Sequence, residues 1–333
     1  MAKQRIAYLD IVKLFTIYLV ILGHSIQMMV NGLSTDKHLW PVIYSFHMPL
    51  FMLLSGYFVS GKLGEQPFIE VIKKKSTQLL LPAITCTVIC CVYLCCVKEN
   101  PNYRDEIIGN SWFLKTLFVY YVLFYLLKQI HMNEWILFIV SCLLLFVFPH
   151  ASSLQANLLF PYFWGGYLMR KYNVLERFAY FWYYAVAFVL LFICLYTLQC
   201  YWHIPNYIEI NIDSLQHKFH LILFRYLVGF SGCLATIATI SAVYKTFENN
   251  PRTIQLAKYG QWTLGVYVLQ TILVTNVFPD ILAWYVESEI LLDVIIAPLL
   301  SLAFLVLCLF LIYIISKNKK LDLLFFGGQY YNK

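Results

Sequence analysis

Long apolar runs, separated by short polar clusters, recur along the whole chain. A helix that crosses a bilayer needs roughly 20 mainly apolar residues, and ten segments approach that length. The pattern therefore predicts an all-α, polytopic membrane protein with about ten transmembrane helices. The predicted spans are 7–30, 39–59, 78–97, 112–128, 135–148, 157–169, 178–200, 220–244, 263–278 and 290–316.

The positive charges predict how these spans are oriented. Of the 24 Lys and Arg residues, seventeen fall at the termini and in the connections on one side, and four fall on the other. Lys and Arg are enriched on the cytoplasmic side of membrane proteins, so both termini are predicted to be cytoplasmic. The first apolar stretch is a full span without a cleavage site, and we expect it to remain as an uncleaved anchor.

Composition removes several other classes of protein. Hydrophobic residues make up 61% of the 333 positions and charged residues only 12%, which excludes a water-soluble domain. The net charge of +7 is explained by orientation and by anionic lipid at the inner face, so membrane lipids are expected partners and nucleic acid is not. The ten cysteines lie almost wholly in predicted spans, which indicates buried free thiols and no metal site. Without a long linker, residues 1–333 are expected to form a single integral-membrane domain.

Two ionisable residues share one face of the first span. Lys13 and His24 are eleven positions apart, almost three helical turns, which separates them by about 16 Å along the axis. Ionisable groups within a membrane are candidates for function. Asp10, three residues before Lys13, is close enough to neutralise it, either as a structural anchor or as part of a site.

A second histidine follows in the next span. His47 lies in the segment SFHMPLFMLLSGYF, residues 45–58, where Pro49 interrupts the backbone hydrogen bonds and Gly56 permits close helix packing. This span runs inward, so His47 and His24 are both expected in the outer half of the membrane. A neutral imidazole accepts a proton from a hydroxyl near physiological pH and returns it, although a structural hydrogen bond is the simpler interpretation of each ring.

Several polar residues near other span ends have two interpretations. The run Lys73, Lys74 and Lys75 is a topology signal, or it attracts a phosphate-bearing donor such as a coenzyme A thioester. Lys115, beside Trp112, either extends to the surface or contacts an acceptor.

Arg225 is the most costly charge within a span unless it is paired. Asp293 is the nearest acid inside a late span and is its candidate partner. External loop 201–219 contains His203, Glu209, Asp213 and His217, and is either a solvated loop or a contributor to acceptor choice.

These motifs together resemble a known family. Lys13-x10-His24, preceded by Leu9 and Asp10, is similar to the Arg/Lys-x10-His motif of the acyltransferase type 3 family of integral-membrane O-acyltransferases. The chain most resembles the branch that includes fucose 4-O-acetylase-like proteins. Later signatures with the same resemblance are residues 45–58, NSWFLKTLFVYYVLFYLL at 110–127, FPYFWGGYLMRKY at 160–172 and TLGVYVLQ at 263–270.

The resemblance implies an activity and roles for residues. Members of the family move an acyl group, usually acetyl, from cytoplasmic acyl-CoA to a hydroxyl of a sugar. His24 is then the base or a transient acyl carrier, Lys13 supports the thioester, and His47 has a weaker implied role. Where the family has Arg-x-x-Arg this chain has Lys75-x-x-Gln78, and Gln270 stands where a Tyr-Leu-x-His element places histidine. The implied site set is Asp10, Lys13, His24 and His47 for catalysis, Lys73, Lys74, Lys75 and Gln78 for the donor, and Trp112, Lys115, Arg225 and Gln270 for the acceptor.

The sequence thus predicts a multi-pass O-acyltransferase of a bacterial inner membrane. Acetyl-CoA or another acyl-CoA is the expected donor, no metal is expected, and a cell-surface, exported or lipid-linked saccharide is the expected acceptor. Oligomerisation with a second copy is left open. Two alternatives stay open as well, namely a transporter or flippase for a lipid-linked sugar and an inactive member of the family.

Overall fold

The computed structural model describes residues 6–30, 35–36, 38–59, 61, 63–97, 103–130, 132–147, 155–206, 208, 210–281 and 288–331. Within these ranges the chain is almost entirely helical and contains no strand. The helices are α1 (Ala7–Val30), α2 (Trp40–Phe58), α3 (Phe68–Val97), α4 (Tyr103–Gly109), α5 (Trp112–Lys128), α6 (Glu134–Val147), α7 (Ala156–Lys171), α8 (Val174–Phe178), α9 (Trp182–Tyr201), α10 (Ile212–His217), α11 (Phe219–Thr246), α12 (Pro251–Asp280), α13 (Glu289–Ile315) and α14 (Lys319–Phe326).

Six of the helices in the described ranges are long and apolar enough to cross a membrane: α1, α3, α9, α11, α12 and α13. The all-α, multi-pass class is therefore confirmed. Every predicted span falls on a helix, but α2, α5, α6 and α7 are shorter or less apolar than the other six. The count of ten transmembrane helices and the orientation of the termini stay predictions.

Two connections and the C-terminal segment differ from their predicted form. Residues 60–77 were expected to be a loop, but α3 begins at Phe68 and continues through a π-helical segment at Ser76–Leu80. The predicted external loop 201–219 contains the short helix α10, which Asn211 caps; within that loop, Glu209 lies outside the described residues. Helix α14 was not predicted, because its eight residues are too few to give a span signal.

The chain groups into two compact units, each with its own packing. The first contains Met1–Thr16, Pro41–Gly61 and Asn133–Gln261. In it, α2 and α7 pack with their backbones in contact, since a Cβ at Gly56 would overlap the Phe163 carbonyl and one at Gly166 would overlap the Leu53 carbonyl. Small residues permit such close approach in membrane proteins, as the sequence predicted for Gly56.

The second unit contains Ile17–Trp40, Lys62–Met132 and Trp262–Lys333. The hydroxyls of Ser301 on α13 and Ser25 on α1 are hydrogen-bonded at 3.1 Å, and the Tyr18 hydroxyl donates to the Pro298 carbonyl. After α14 the chain turns at Gly327, whose φ of +64° is a left-handed conformation that favours glycine. A Cβ there would also overlap the Thr77 carbonyl, so the C-terminal turn lies directly against α3. The prediction of a single domain over 1–333 stays a prediction.

The described part of this second unit contains three π-helical segments, at Ser76–Leu80, Leu273–Val277 and Leu292–Ile296. Such segments widen a helix locally and are frequent at functional sites. They contain Gln78, Asn276 and Asp293 respectively, so each places a polar side chain where the backbone departs from regular α-helix.

Candidate functional site

Lys13 is held by two contacts in the first unit. Its Nζ lies 3.0 Å from Asp10 Oδ1, which confirms the predicted i, i+3 ion pair, and 3.9 Å from the centroid of the Phe58 ring. Asp10 is buried, and its backbone carbonyl leaves no room for a Cβ at Gly260. The ammonium group is therefore fixed between a buried carboxylate and an aromatic face.

His24 lies on the same continuous helix α1, in the part that belongs to the second unit. Its Nδ1 is 3.1 Å from Gln27 Oε1, one turn further along. An amide oxygen only accepts, so Nδ1 carries the proton in this pairing and the lone pair is on Nε2. This is the tautomer that a base acting through Nε2 requires.

One turn of α2 in the first unit precedes His47 and accepts hydrogen bonds from both His47 and Arg225. His47 is buried, and its Nδ1 is 2.8 Å from the Ile43 carbonyl, which places the lone pair on Nε2. Its ring packs on Tyr44 at 4.6 Å between centroids. The Arg225 guanidinium donates to the carbonyls of Tyr44 and Ser45, so it fixes the turn that carries His47.

Arg225 and its candidate partner Asp293 each bind other groups. Besides the two carbonyls of α2, Arg225 Nε donates to the Asn206 carbonyl at 2.7 Å. Asp293 instead binds His38, with 3.1 Å between Oδ1 and Nδ1, and its Oδ2 accepts the Leu39 backbone N–H at 2.8 Å. Backbone carbonyls satisfy the buried guanidinium, and a histidine outside the predicted spans satisfies the buried acid.

The predicted donor lysines lie at the start of α3 in the second unit. Lys73 and Lys74 are exposed, whereas Lys75 Nζ lies 3.7 Å from the centroid of the Tyr121 ring. Gln78 follows in the π segment, and its backbone carbonyl accepts from Gln329 Nε2 at 3.5 Å. The C-terminal turn therefore lies beside this end of α3, a neighbour that the sequence did not predict.

The structure gives Lys115 a local structural role. Its Nζ donates to the Ile107 and Asn110 carbonyls at 2.5 and 2.7 Å, at the C-terminal end of α4. A cation there is favourable because the last carbonyls of a helix are otherwise unsatisfied. Trp112, at the first position of α5, is partly buried and packs edge-on against Phe113. Contact of either residue with an acceptor stays a prediction.

Gln270 is buried in α12, with 1% of its surface exposed. Its Nε2 donates to Thr271 Oγ1 at 3.0 Å. Its Oε1 is also buried and has no hydrogen-bond partner among the residues that the structure describes. Unsatisfied buried acceptors are rare enough in proteins to require an explanation.

The described residues thus bring the candidates together in local groups: Lys13 with Asp10, His47 with Arg225, and Lys73, Lys74 and Lys75 with Gln78. Lys13 and His24 are connected by one uninterrupted helix. Among the described residues there is no group of three or more His, Cys, Asp or Glu side chains arranged to hold a metal ion. All ten cysteines lie in the described ranges and none forms a disulfide, but only Cys86, Cys90, Cys233 and Cys308 are buried, so the expectation of buried thiols holds for four of them.

One continuous helix thus carries an ion-paired lysine and, eleven residues later, a histidine held through Nδ1, an arrangement that fits an acyl-transfer enzyme of the membrane. Residues 6–317 match the family model described as an acyltransferase domain of type 3. The chain therefore belongs to this family of membrane acyltransferases, which confirms the resemblance drawn from its motifs.

Two curated proteins illustrate its similarity to named relatives. The nodulation protein NolL of Sinorhizobium fredii (strain NBRC 101917 / NGR234) is 30% identical over 184 residues, which covers 51% of this chain and 50% of that protein. The nodulation protein NolL of Mesorhizobium japonicum (strain LMG 29417 / CECT 9101 / MAFF 303099) is 27% identical over 283 residues, or 78% of this chain and 74% of that protein. The match thus spans half the length of the first relative. No solved structure matches the chain.

Proposed function

We propose that this protein is an integral-membrane O-acyltransferase that moves an acetyl group from cytoplasmic acetyl-CoA to a hydroxyl of a cell-surface or exported glycan. The observation that carries the proposal is the pair of functional groups on α1. Lys13 is anchored by Asp10 at one end, and His24 is held through Nδ1 by Gln27 about 16 Å further along. Membership of the acyltransferase family supports the reaction class.

In the proposed reaction, His24 acts as a general base. Its Nε2 accepts the proton of the acceptor hydroxyl while the hydroxyl oxygen attacks the thioester carbonyl carbon. The carbon–sulfur bond then breaks, and the imidazolium returns its proton to the departing thiolate. The products are the glycan ester and free CoA, so atoms and protons balance without another reactant.

The donor enters from the cytoplasm in this proposal. The prediction that both termini are cytoplasmic places Lys73, Lys74 and Lys75 on the donor side. Their ammonium groups attract the diphosphate of CoA, while Lys13, fixed beside Asp10 about 16 Å from His24, supports the donor side. The multi-pass class and this orientation are consistent with a bacterial inner membrane.

On the acceptor side we assign His47, a residue of the first unit, a weaker role than His24. His47 has a lone pair on Nε2 by the same hydrogen-bond argument as His24, so it is a second group that can accept a proton from a hydroxyl. Arg225 acts on this side as a positioning residue, because its guanidinium fixes the turn that carries His47.

The direct test is release of free CoA by purified protein supplied with acetyl-CoA and a methyl glycoside acceptor. We expect His24→Ala to abolish release while the protein keeps its melting temperature. His217→Ala is the matched control, because that imidazole is 71% exposed and lies on the short external helix α10. Undiminished transfer by His24→Ala would contradict the assignment. Flux of a lipid-linked sugar in sealed vesicles without any thioester would favour the transporter instead.

A further inference from the structure

A polar cluster, buried except for the half-buried Thr275, surrounds the π segment Leu273–Val277 of α12. It consists of Gln270, Thr271, Thr275 and Asn276, and most of its hydrogen bonds close within the helix. Asn276 Nδ2 donates to the Thr271 carbonyl at 2.7 Å, and the Thr275 hydroxyl donates to the same carbonyl. These two side chains therefore support the widened helix itself.

The orientation of the Gln270 amide follows from its neighbour. The single proton of the Thr271 hydroxyl is donated to the Tyr267 carbonyl at 2.9 Å, so Thr271 Oγ1 faces Gln270 only as an acceptor. The group that approaches it at 3.0 Å must then be the Gln270 amide nitrogen. Gln270 Oε1 consequently points elsewhere, and it is the atom without a partner in the described part of the chain.

An amide oxygen in this position costs stability. Leaving a buried acceptor unsatisfied is unfavourable by an amount comparable to a lost hydrogen bond, and an apolar side chain of the same shape would avoid that cost. Residues that are unfavourable for folding are typical of functional positions. The oxygen needs a donor, and bound substrate supplies N–H and O–H groups.

The turn of α12 that precedes Gln270 belongs to the second unit and contacts two other helices. Cys86 on α3 has its sulfur 3.7 Å from the Val268 carbonyl, two residues before Gln270. Phe113 on α5 packs against Tyr267 at 5.5 Å between ring centroids. The flanking Ser111 has a left-handed φ of +53°, a conformation that is unfavourable for a residue other than glycine and that is found at ligand sites.

We propose that Gln270 Oε1 accepts a hydrogen bond from an N–H or O–H group of the bound substrate, which makes this cluster a substrate-recognition subsite. This inference rests on the proposed acyl transfer. The donor group is an amide N–H of the pantetheine arm of CoA or a hydroxyl of the sugar acceptor. Both are neutral hydrogen-bond donors, which suits a neutral, buried amide oxygen.

The test compares Gln270→Met, which keeps the length of the side chain and removes the acceptor, with the isosteric control Thr239→Val on α11, outside the cluster. The loss of one buried neutral hydrogen bond corresponds to roughly a 3- to 10-fold weaker affinity. Binding of CoA is compared with binding of 3′-phosphoadenosine 5′-diphosphate, which lacks the pantetheine arm. The Michaelis constant of methyl α-L-fucopyranoside is measured in parallel as the acceptor probe.

Each outcome decides the inference. A 3- to 10-fold weaker affinity for CoA, with that for the truncated nucleotide unchanged, identifies the pantetheine amide as the donor. A rise confined to the Michaelis constant of the glycoside identifies the sugar hydroxyl instead. Unchanged values in both arms, with CoA release as in the wild type, overturn the inference and leave the proposed function intact. Absence of release by the wild type contradicts the proposed function itself.

Stability gives a second measurement. Because Oε1 is unsatisfied without substrate, Gln270→Met should melt at or above the temperature of the substrate-free wild type. Gln270→Asn moves the amide oxygen back by one methylene group and should weaken binding of the same ligand. This variant provides the test if the Met variant does not accumulate. A lower melting temperature with unchanged ligand affinity in both variants would show that Gln270 is only structural.

Discussion

Arg225 offers the sharpest test of how the first unit is held together. Its guanidinium is 4% exposed and donates to three backbone carbonyls, those of Asn206, Ser45 and Tyr44, at 2.7, 2.8 and 3.1 Å. Arg225→Met would leave these carbonyls buried without their donor. Hydrogen bonds from charged groups contribute about 1.5 to 3 kcal/mol each, and the cost of burying the charge offsets part of the sum. We expect a net loss of about 3 to 5 kcal/mol.

Thermal unfolding in detergent, followed by tryptophan fluorescence, measures this loss. For chains somewhat shorter than this one, 1 kcal/mol corresponds to about 2 to 4 °C, so the melting temperature should fall by roughly 6 °C or more. Arg225→Lys should lie between the wild type and the Met variant, because one ammonium group does not reproduce the planar fork of the guanidinium. Arg252→Met is the control, since that arginine is exposed at the start of α12. If Arg225→Met melted within 1 °C of the wild type, the reasoning would be refuted.

Three further predictions concern the packing and the donor side. Gly56→Ala should lower the melting temperature and the yield of folded protein, because the added Cβ overlaps the Phe163 carbonyl, whereas Gly109→Ala has open space and should change neither. The double variant Lys73→Gln and Lys74→Gln should raise the Michaelis constant for acetyl-CoA about 3- to 10-fold and weaken the salt dependence of that constant. Steady-state assays at two ionic strengths would show both effects, and an unchanged constant would contradict donor binding by these lysines. Lys13→Met should reduce the rate of CoA release at least 10-fold and, because it leaves Asp10 buried without its cation, also lower the melting temperature; an unchanged rate would contradict its proposed role.

Features that depend on local sequence were predictable. Apolar runs gave the positions of the long helices to within a few residues, except where a helix continues into an amphipathic segment, as α3 does at Phe68–Lys75. The Lys13–Asp10 ion pair was predictable because residues three apart share one helix face. Close packing at Gly56 followed from the absence of a side chain in a crowded apolar span.

Features that depend on distant or backbone partners were not predictable. The carbonyls that bind Arg225 carry no sequence signal, since every residue has one. His38 and Asp293 are 255 positions apart, so only the fold brings them together. The π segments at Ser76–Leu80 and Leu273–Val277 have sequences that resemble those of ordinary helices, so no local signal marks them.

The proposed transfer joins a donor that enters on the cytoplasmic side to an acceptor on the other side, with His24 on α1 as the base. The most direct measurement uses sealed proteoliposomes in which acetyl-labelled acetyl-CoA is present only on the Lys73–Lys75 side and a membrane-impermeant oligosaccharide only on the opposite side. We expect label on the oligosaccharide and an equal amount of free CoA on the donor side, both abolished by His24→Ala and retained by His217→Ala. Label that reaches the oligosaccharide equally well with His24→Ala, or no labelling by the wild type, would contradict the proposed transfer.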